Sequence, residues 1–114
     1  MSRGKVYLVG AGPGDPGLIT VKGLECLRRA DVVLYDGLVN PRLIELVSEG
    51  CERVSVGKEP GTQREQQQST NRLMVDHALE GKRVVRLKGG DPFIFGRGGE
   101  EAQTLEEAGI DYEV

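Results

Sequence analysis

A glycine-rich segment from Lys88 to Gly99 holds the residues of this chain that are best suited to chemistry. Four glycines and one proline lie between those two residues, interleaved with Asp91 and the apolar run Phe93–Phe95. Glycine lets a backbone turn sharply and lets a ligand approach the main chain, although its freedom costs entropy on folding. The composition predicts a ligand-holding loop with an apolar wall; the alternative is an ordinary strand-to-helix connection that is rich in glycine.

A second glycine cluster, Gly10–Gly17, directly follows the first apolar run of the chain. Ligands of a parallel α/β sheet bind beyond the carboxyl ends of its strands, so both clusters could face one ligand. In a dinucleotide-type G-x-G-x-x-G motif the third glycine would fall at Asp15, whose carboxylate would repel a pyrophosphate. The Gly-Lys pairs at 57–58 and 81–82 lack the following Ser or Thr of a P-loop. The pattern favours a ligand with little negative charge.

Three charged residues are candidates for proton transfer or substrate binding. Asp36 closes the second predicted strand and could act as a general base or cap a turn. Lys58 closes the third strand and could donate a proton or bind an anion; the alternative is a solvated surface lysine. Arg97, between two glycines, could hold a carboxylate bidentately or lie on the surface near a helix. His77 is predicted to be an ordinary helix residue.

Short apolar runs alternate with amphipathic segments along the chain. Apolar residues that recur every three or four positions indicate helices, and short apolar runs bounded by turn residues indicate strands. Their alternation predicts an α/β fold, a five-stranded parallel sheet with helices on both faces. The predicted strands are 5–9, 31–35, 53–56, 83–87 and one from 110, and the predicted helices begin near 20, 40, 66 and 100.

Local signals predict where the helices begin and end. Asn40 followed by Pro41 is an N-cap with a proline at the first helical position. Gly81 and Gly109 are predicted to end the two later helices, and residues 57–64 are expected to form an exposed loop. The first helix is expected to turn an apolar stripe to the core, formed by Val21, Leu24, Leu27 and Ala30.

The composition indicates one domain with few aromatic residues and a net charge of −3. A nucleic-acid-binding protein would favour a basic stripe, and no apolar run approaches the roughly 20 residues of a membrane span. No signal-peptide pattern opens the chain. Cys26 and Cys51 lie in different predicted elements and no C-x-x-C motif occurs, so neither a disulfide framework nor a metal site is indicated. We expect a protein of the reducing cytoplasm without nucleic-acid or membrane partners.

Four motifs carry a resemblance to a known family: Val9–Asp15, Tyr35-Asp36, Val56–Lys58 and Val84–Glu101. With them the chain resembles the uroporphyrinogen-III C-methyltransferases of the tetrapyrrole methylase family over essentially its whole length. The Gly-Ala-Gly-Pro-Gly-Asp motif is shared more widely, including with precorrin methylases and diphthine synthase. The long motif is far more specific to the uroporphyrinogen enzymes.

The resemblance implies a two-domain enzyme in which residues 1–114 form the N-terminal domain and the C-terminal domain is absent from this chain. S-adenosylmethionine would lie in the cleft between the domains. Asp36 would accept a proton, Lys58 would donate one, and Arg97 would bind a carboxylate of the tetrapyrrole. The residues that would contact the cofactor are Pro13, Gly89, Gly90, Asp91 and Ile94.

The implied reaction is two methyl transfers to uroporphyrinogen III that give precorrin-2 and S-adenosylhomocysteine, on the route to sirohaem and cobalamin. The resemblance also implies a cytoplasmic homodimer. Two alternatives remain open. One is a relative with another substrate, such as a precorrin methylase or a diphthine synthase-like enzyme, and the other is a cofactor-binding fragment that is inactive alone.

Overall fold

The computed structural model describes residues 4–10, 21–37, 39–56, 60–89 and 98–113. Strands and helices alternate in the order predicted, and each strand bound lies within one residue of the expected one. The elements are β1 (Lys5–Gly10), α1 (Val21–Arg29), β2 (Val32–Tyr35), α2 (Pro41–Ile44), β3 (Glu52–Ser55), α3 (Gln63–Leu79), β4 (Arg83–Lys88), α4 (Gly98–Glu107) and β5 (Asp111–Glu113).

The strands form one parallel sheet in the order β3-β2-β4-β1-β5. This confirms the predicted five-stranded parallel sheet. Strand β4 lies in the middle, with Val84 opposite Val6 of β1 on one side and Val32 of β2 on the other. Strands β4 and β1 are neighbours in the sheet. The connection after β1 runs to β2 on one side of this pair, and the connection after β4 runs to β5 on the other side. Such a reversal opens a crevice at the carboxyl ends of the strands.

Two separate apolar cores cover the two faces of the sheet, as predicted. Helices α3 and α4 pack on one face, where Val84 of β4 meets Met74 and Leu105. Helices α1 and α2 pack on the other face, where Val85 and Leu87 lie in one cluster with residues of both helices. Because successive side chains of a strand point to opposite faces, β4 contributes to both cores. Every even-numbered side chain of β4 therefore points toward α3 and α4.

The helix ends follow local capping chemistry. Asn40 caps α2, since its Oδ1 accepts a hydrogen bond from the Arg42 N–H at 2.9 Å. Helix α3 begins at Gln63, not near residue 66, because the Thr62 Oγ1 accepts a hydrogen bond from the Glu65 N–H at 3.1 Å. The prediction of a loop over 57–64 is thus wrong at its end, where a threonine cap was overlooked. Residues 57–59 lie outside the described part of the chain.

Two glycines end helices as predicted. Gly81 and Gly109 follow α3 and α4 with φ of 87° and 71°, the left-handed conformation that glycine adopts without a steric penalty. The expected apolar stripe of α1 is correct only in part. Leu27 and Ala30 are buried, but Val21 is 79% exposed. Gly23 is buried instead.

Candidate functional site

Asp36 and Gly89 meet at the carboxyl edge of the sheet. Asp36 follows the last residue of β2, and Gly89 follows the last residue of β4. These strands pair directly, with Tyr35 opposite Leu87, so the residues that follow them leave the sheet side by side. The Gly89 N–H donates a hydrogen bond to Asp36 Oδ2 at 3.4 Å. The structure therefore brings together a predicted proton acceptor and a predicted cofactor contact that are far apart in sequence.

Asp36 also lines a cleft of about 470 Å³ beside the start of α2. The cleft has an apolar side, to which Val39, Pro41 and Ile44 contribute, and it carries one further anion and one cation, Glu45 and Arg53. Asp36 itself is half-buried. Its carboxylate thus lies where a small molecule could reach it while the Gly89 backbone restrains it.

The other predicted site residues lie outside the described part of the chain and stay predictions: Pro13, Lys58, Gly90, Asp91, Ile94 and Arg97. The structure does describe the chain that leads to Lys58. The Val56 N–H donates to the Tyr35 carbonyl at 2.9 Å, which extends the pairing of β3 with β2 by one residue. Val56, two residues before Lys58 in the sequence, therefore lies beside the end of β2.

Three buried side chains form a charge cluster beneath this edge: Arg86 and Lys88 of β4 and Glu101 of α4. The exposed fractions of these side chains are 6%, 8% and 0%. Glu101 Oε2 accepts a hydrogen bond from Arg86 Nε at 3.0 Å, and Glu101 Oε1 lies 3.6 Å from Lys88 Nζ. We call these three residues the buried charge cluster. It contains two cations and one anion.

Neighbouring polar groups hold the buried charge cluster in place. Gln67 of α3 donates through Nε2 to Glu101 Oε2 at 3.0 Å. One terminal nitrogen of Arg86 donates to the backbone carbonyls of Leu34 and Leu87 at 3.4 and 3.2 Å, which ties it to both β2 and β4. The cluster thereby connects two strands and two helices just below Asp36 and Gly89.

Burial is the main cause that lowers the pKa of Lys88, and the nearby Glu101 carboxylate opposes it. Asp36 is among the further charges that act on this lysine. Arg86 and Lys88 are held by Glu101 instead of being presented to a ligand. Both side chains are therefore engaged below the edge of the sheet, although the buried charge cluster keeps a net charge of +1.

The sequence reasoning did not identify the buried charge cluster. Arg86 lies within the predicted strand 83–87, and Glu101 was given no role of its own. A signal was present, because Arg86 lies in a strand expected to be covered on both faces and Lys88, two positions later, directly follows that predicted strand. Two cations on one face of a buried strand require a buried anion.

The remaining reactive residue types lie away from the carboxyl edge or are not activated. His77 lies near the end of α3, where its Nδ1 is 3.4 Å from Lys82 Nζ, at the opposite end of β4. Burial raises the pKa of the Cys26 and Cys51 thiols, which disfavours a reactive thiolate. Within the described ranges, no cluster of three His, Cys, Asp or Glu could hold a metal ion. No helix in those same ranges is long and apolar enough to cross a membrane.

The sequence matches the family model of the tetrapyrrole (corrin/porphyrin) methylases over residues 5–114. Siroheme synthase 1 of Yersinia enterocolitica is 57% identical over 113 residues, which are 99% of this chain and 24% of that protein. The chain thus spans about a quarter of the length of the siroheme synthases it matches.

Two solved structures share the fold. The uroporphyrin-III C-methyltransferase of Thermus thermophilus, complexed with S-adenosylhomocysteine, has a TM-score of 0.84 and 50% identity; the match covers 97% of this chain and 47% of that one. A cobalt precorrin-4 methyltransferase, a cobalamin biosynthetic enzyme, has a TM-score of 0.83 and 41% identity, with coverage of 96% and 44%. At these identities the likeness extends beyond the fold to the sequence.

Proposed function

This chain belongs to the tetrapyrrole methylase family, and we propose that it is the N-terminal domain of an S-adenosylmethionine-dependent methyltransferase that acts on uroporphyrinogen III. The domain assignment is supported by coverage, because the chain accounts for 47% of the Thermus enzyme and 24% of the Yersinia enzyme. The substrate is supported by identity, which is 50% to the uroporphyrin enzyme and 41% to the precorrin-4 enzyme.

The observation that carries the proposal is the contact between Asp36 and Gly89 at the carboxyl edge of the sheet. Gly89 is the first residue of the Gly-Gly-Asp sequence that the family resemblance assigns to the cofactor. Asp36 is the residue to which the same resemblance assigns proton transfer. Two roles of one reaction thus fall on residues in direct contact, as expected if the methyl donor and the base act at one site.

S-adenosylmethionine supplies an electrophilic methyl group on a positively charged sulfur. We assign its binding to the backbone of Gly89 and Gly90 with Asp91, Ile94 and Pro13. Arg86 and Lys88 are both engaged by Glu101 and are not presented to a pyrophosphate, which suits a cofactor that has an adenosyl group and no phosphate. The chain's contribution is then mainly alignment, since an in-line arrangement of carbon, methyl and sulfur supplies much of the rate.

Proton transfer is the step in which the side chains take part chemically. A ring carbon of the macrocycle forms a bond to the methyl carbon, and the sulfur keeps the electron pair of the bond that breaks. The macrocycle gains a positive charge, which it loses when a proton passes to the Asp36 carboxylate. Lys58 donates a proton to one position of the macrocycle while a second proton leaves another position, so each methyl transfer releases one proton in net. A second round on another ring gives precorrin-2.

Substrate binding requires local positive charge, because uroporphyrinogen III carries carboxylates and the chain has a net charge of −3. We assign one carboxylate to Arg97, whose planar guanidinium can form two parallel hydrogen bonds to it. The cleft beside Asp36 offers an apolar wall against which a pyrrole ring can pack.

Replacement of Asp36 by Asn in the full-length protein tests the proposal. The amide oxygen of asparagine still accepts the Gly89 N–H, but the side chain cannot take a proton. We expect kcat for precorrin-2 formation to fall by about 10²–10⁴-fold, with the Kd for S-adenosylhomocysteine unchanged by calorimetry. Asp76→Asn, an exposed position on α3, is the matched control.

Unchanged kcat in Asp36→Asn would contradict its role as base. The substrate is tested separately, by supplying the unsubstituted protein with uroporphyrinogen III or with a cobalt precorrin-4 type substrate. Faster methylation of the second would move the function to the later precorrin step. The isolated 114 residues are expected to bind S-adenosylhomocysteine weakly and to form no precorrin-2, because the proposal assigns the other side of the cleft to a second domain.

A further inference from the structure

The buried charge cluster joins the two ends of the glycine-rich segment. Lys88 is the last residue of β4, and α4 begins at Gly98, so Glu101 lies at the start of the helix that follows the segment. Arg86 and Glu101 are 15 positions apart in the sequence, but their charged groups are 3.0 Å apart in space. Four of the five residues to which the proposed function assigns the cofactor lie between these two anchors.

The two carboxylate oxygens of Glu101 engage two successive side chains on one face of β4. Glu101 Oε2 accepts a hydrogen bond from Arg86 Nε at 3.0 Å, and Glu101 Oε1 lies 3.6 Å from Lys88 Nζ. Positions two apart on a strand are separated by about 7 Å along it. A shift of α4 along β4 by that distance would break at least one of the two contacts. The pair of contacts therefore fixes where the start of α4 lies along the strand.

Helix α3 holds Glu101 from a second direction. Gln67 Nε2 donates to Glu101 Oε2 at 3.0 Å and to Asn71 Oδ1 at 2.8 Å. Asn71 Nδ2 in turn donates to Thr104 Oγ1 at 3.2 Å, one turn further along α4. The first two turns of α4 are thus tied to α3 as well as to β4, so the direction of the helix is restrained together with its position.

Apolar side chains could hold α4 to β4 without the desolvation cost of buried ions. The exposed fractions of Arg86, Lys88 and Glu101 are nevertheless only 6%, 8% and 0%. Apolar contacts have no preferred direction, whereas hydrogen bonds require a narrow range of distance and angle. What the buried ions add at this place is a defined geometry between the end of β4 and the start of α4.

We propose that Glu101 is a positioning residue for the cofactor: through Arg86 and Lys88 it fixes the start of α4 against the end of β4, so that both ends of the glycine-rich segment are in place before S-adenosylmethionine binds. Glu101 is fully buried and acts through these two residues, not by contact with the cofactor. A segment with fixed ends loses less conformational entropy when a ligand orders it. This inference rests on the proposed function, which assigns cofactor binding to Gly89 and to residues after it.

The test uses Glu101→Gln in the full-length protein. Glutamine keeps the shape of the side chain and an oxygen that can accept from Arg86, but it has no charge to attract Lys88. We expect the Kd for S-adenosylhomocysteine, measured by calorimetry, to rise by about tenfold, the equivalent of ordering one more backbone residue on binding. The kcat at saturating S-adenosylmethionine is expected to change less, because the bound cofactor then orders the segment. An unchanged Kd would overturn the inference.

Met74→Ala is the control for a general loss of stability. Met74 of α3 is fully buried in the core on the same face of the sheet. Its truncation leaves a cavity and destabilises the protein, but it removes none of the charges of the buried charge cluster. We expect the Kd for S-adenosylhomocysteine to stay unchanged in this variant. An equal rise in both variants would overturn the inference, since loss of stability alone would then explain the weaker binding.

The triple variant Arg86→Met/Lys88→Met/Glu101→Leu serves if Glu101→Gln does not fold. Apolar side chains of similar volume need no counterion, so stability is expected to recover, but the directed contacts are absent and the Kd is expected to stay raised. A triple variant that binds S-adenosylhomocysteine as tightly as the unsubstituted protein would overturn the inference. The proposed function fails separately, because it is removed if the unsubstituted full-length protein does not bind S-adenosylhomocysteine at all.

Discussion

Two charge clusters lie in different parts of this domain, and each contains one glutamate between two cations. In the buried charge cluster, Glu101 lies between Arg86 and Lys88. In the second, which we call the exposed charge cluster, Glu113 of β5 lies 2.6 Å from Lys22 Nζ and 3.3 Å from Lys5 Nζ. The buried separations are 3.0 and 3.6 Å, so the exposed contacts are the shorter ones.

Burial, not distance, distinguishes the two clusters. Glu101 is fully buried, whereas Glu113 is 40% exposed and its partner Lys22 is 67% exposed. In water each ion of the exposed cluster is already well solvated, so pairing gains little. In the interior the desolvation cost has been incurred, and removal of one partner leaves a buried charge uncompensated. Only the buried charge cluster can therefore transmit a change of charge to the site above it.

The largest effect is expected from Glu101→Gln, which removes the only anion of the buried charge cluster. Arg86 and Lys88 would then share a buried site without their counterion. We expect the free energy of unfolding to fall by about 3–5 kcal/mol, measured by urea denaturation of the full-length protein. A loss below about 1 kcal/mol would mean that solvent reaches the cluster, and it would contradict the distinction between the buried and the exposed charge cluster.

A smaller effect is expected when all three charges are removed together, in Arg86→Met/Lys88→Met/Glu101→Leu. Apolar side chains of similar volume need no counterion, so most of the loss seen in Glu101→Gln is expected to be recovered. Urea denaturation under the same conditions provides the measurement. A triple variant as unstable as the single one would show that packing around Arg86, and not charge, maintains this region.

The smallest effect is expected from Glu113→Gln in the exposed charge cluster. The hydrogen bond from Lys22, followed by that from Lys5, holds the pKa of Glu113 below its usual value. A depressed carboxyl pKa stabilises the fold above the unfolded value of 4.5, and this contribution is lost as pH falls through the folded pKa. The difference between Glu113→Gln and the unsubstituted protein is thus expected to be slight at pH 7 and to vanish in acid.

Salt provides the control for that measurement. At 1 M salt the screening length is about 3 Å, so the difference caused by Glu113→Gln should vanish at pH 7 as well, while the loss caused by Glu101→Gln should persist. A stability difference caused by Glu113→Gln that persists at about 1 M salt would contradict the description of this cluster as exposed. Melting curves at low and high salt are sufficient for both variants.

Local signals in the sequence predicted much of the fold because the relevant physics acts over a few residues. The apolar runs of β1 and β4, the Asn40 cap and the helix-ending glycines Gly81 and Gly109 could each be recognised without knowledge of the partners. The exceptions were local too. The Thr62 cap was overlooked, and Val21 was assigned to a core face that the start of α1 does not reach.

The sequence by itself determined the class of the fold, the position of the glycine-rich segments after β1 and β4, and the candidate role of Asp36. Only the tertiary structure decided that β4 lies beside β2, which brings Gly89 to Asp36 and Glu101 to Arg86 and Lys88. Alternating strands and helices are compatible with several strand orders, and nothing in a strand's own pattern names its neighbour. Pairing of buried charges depends on those neighbours, because the cost of an ion is offset only by the groups that folding places around it.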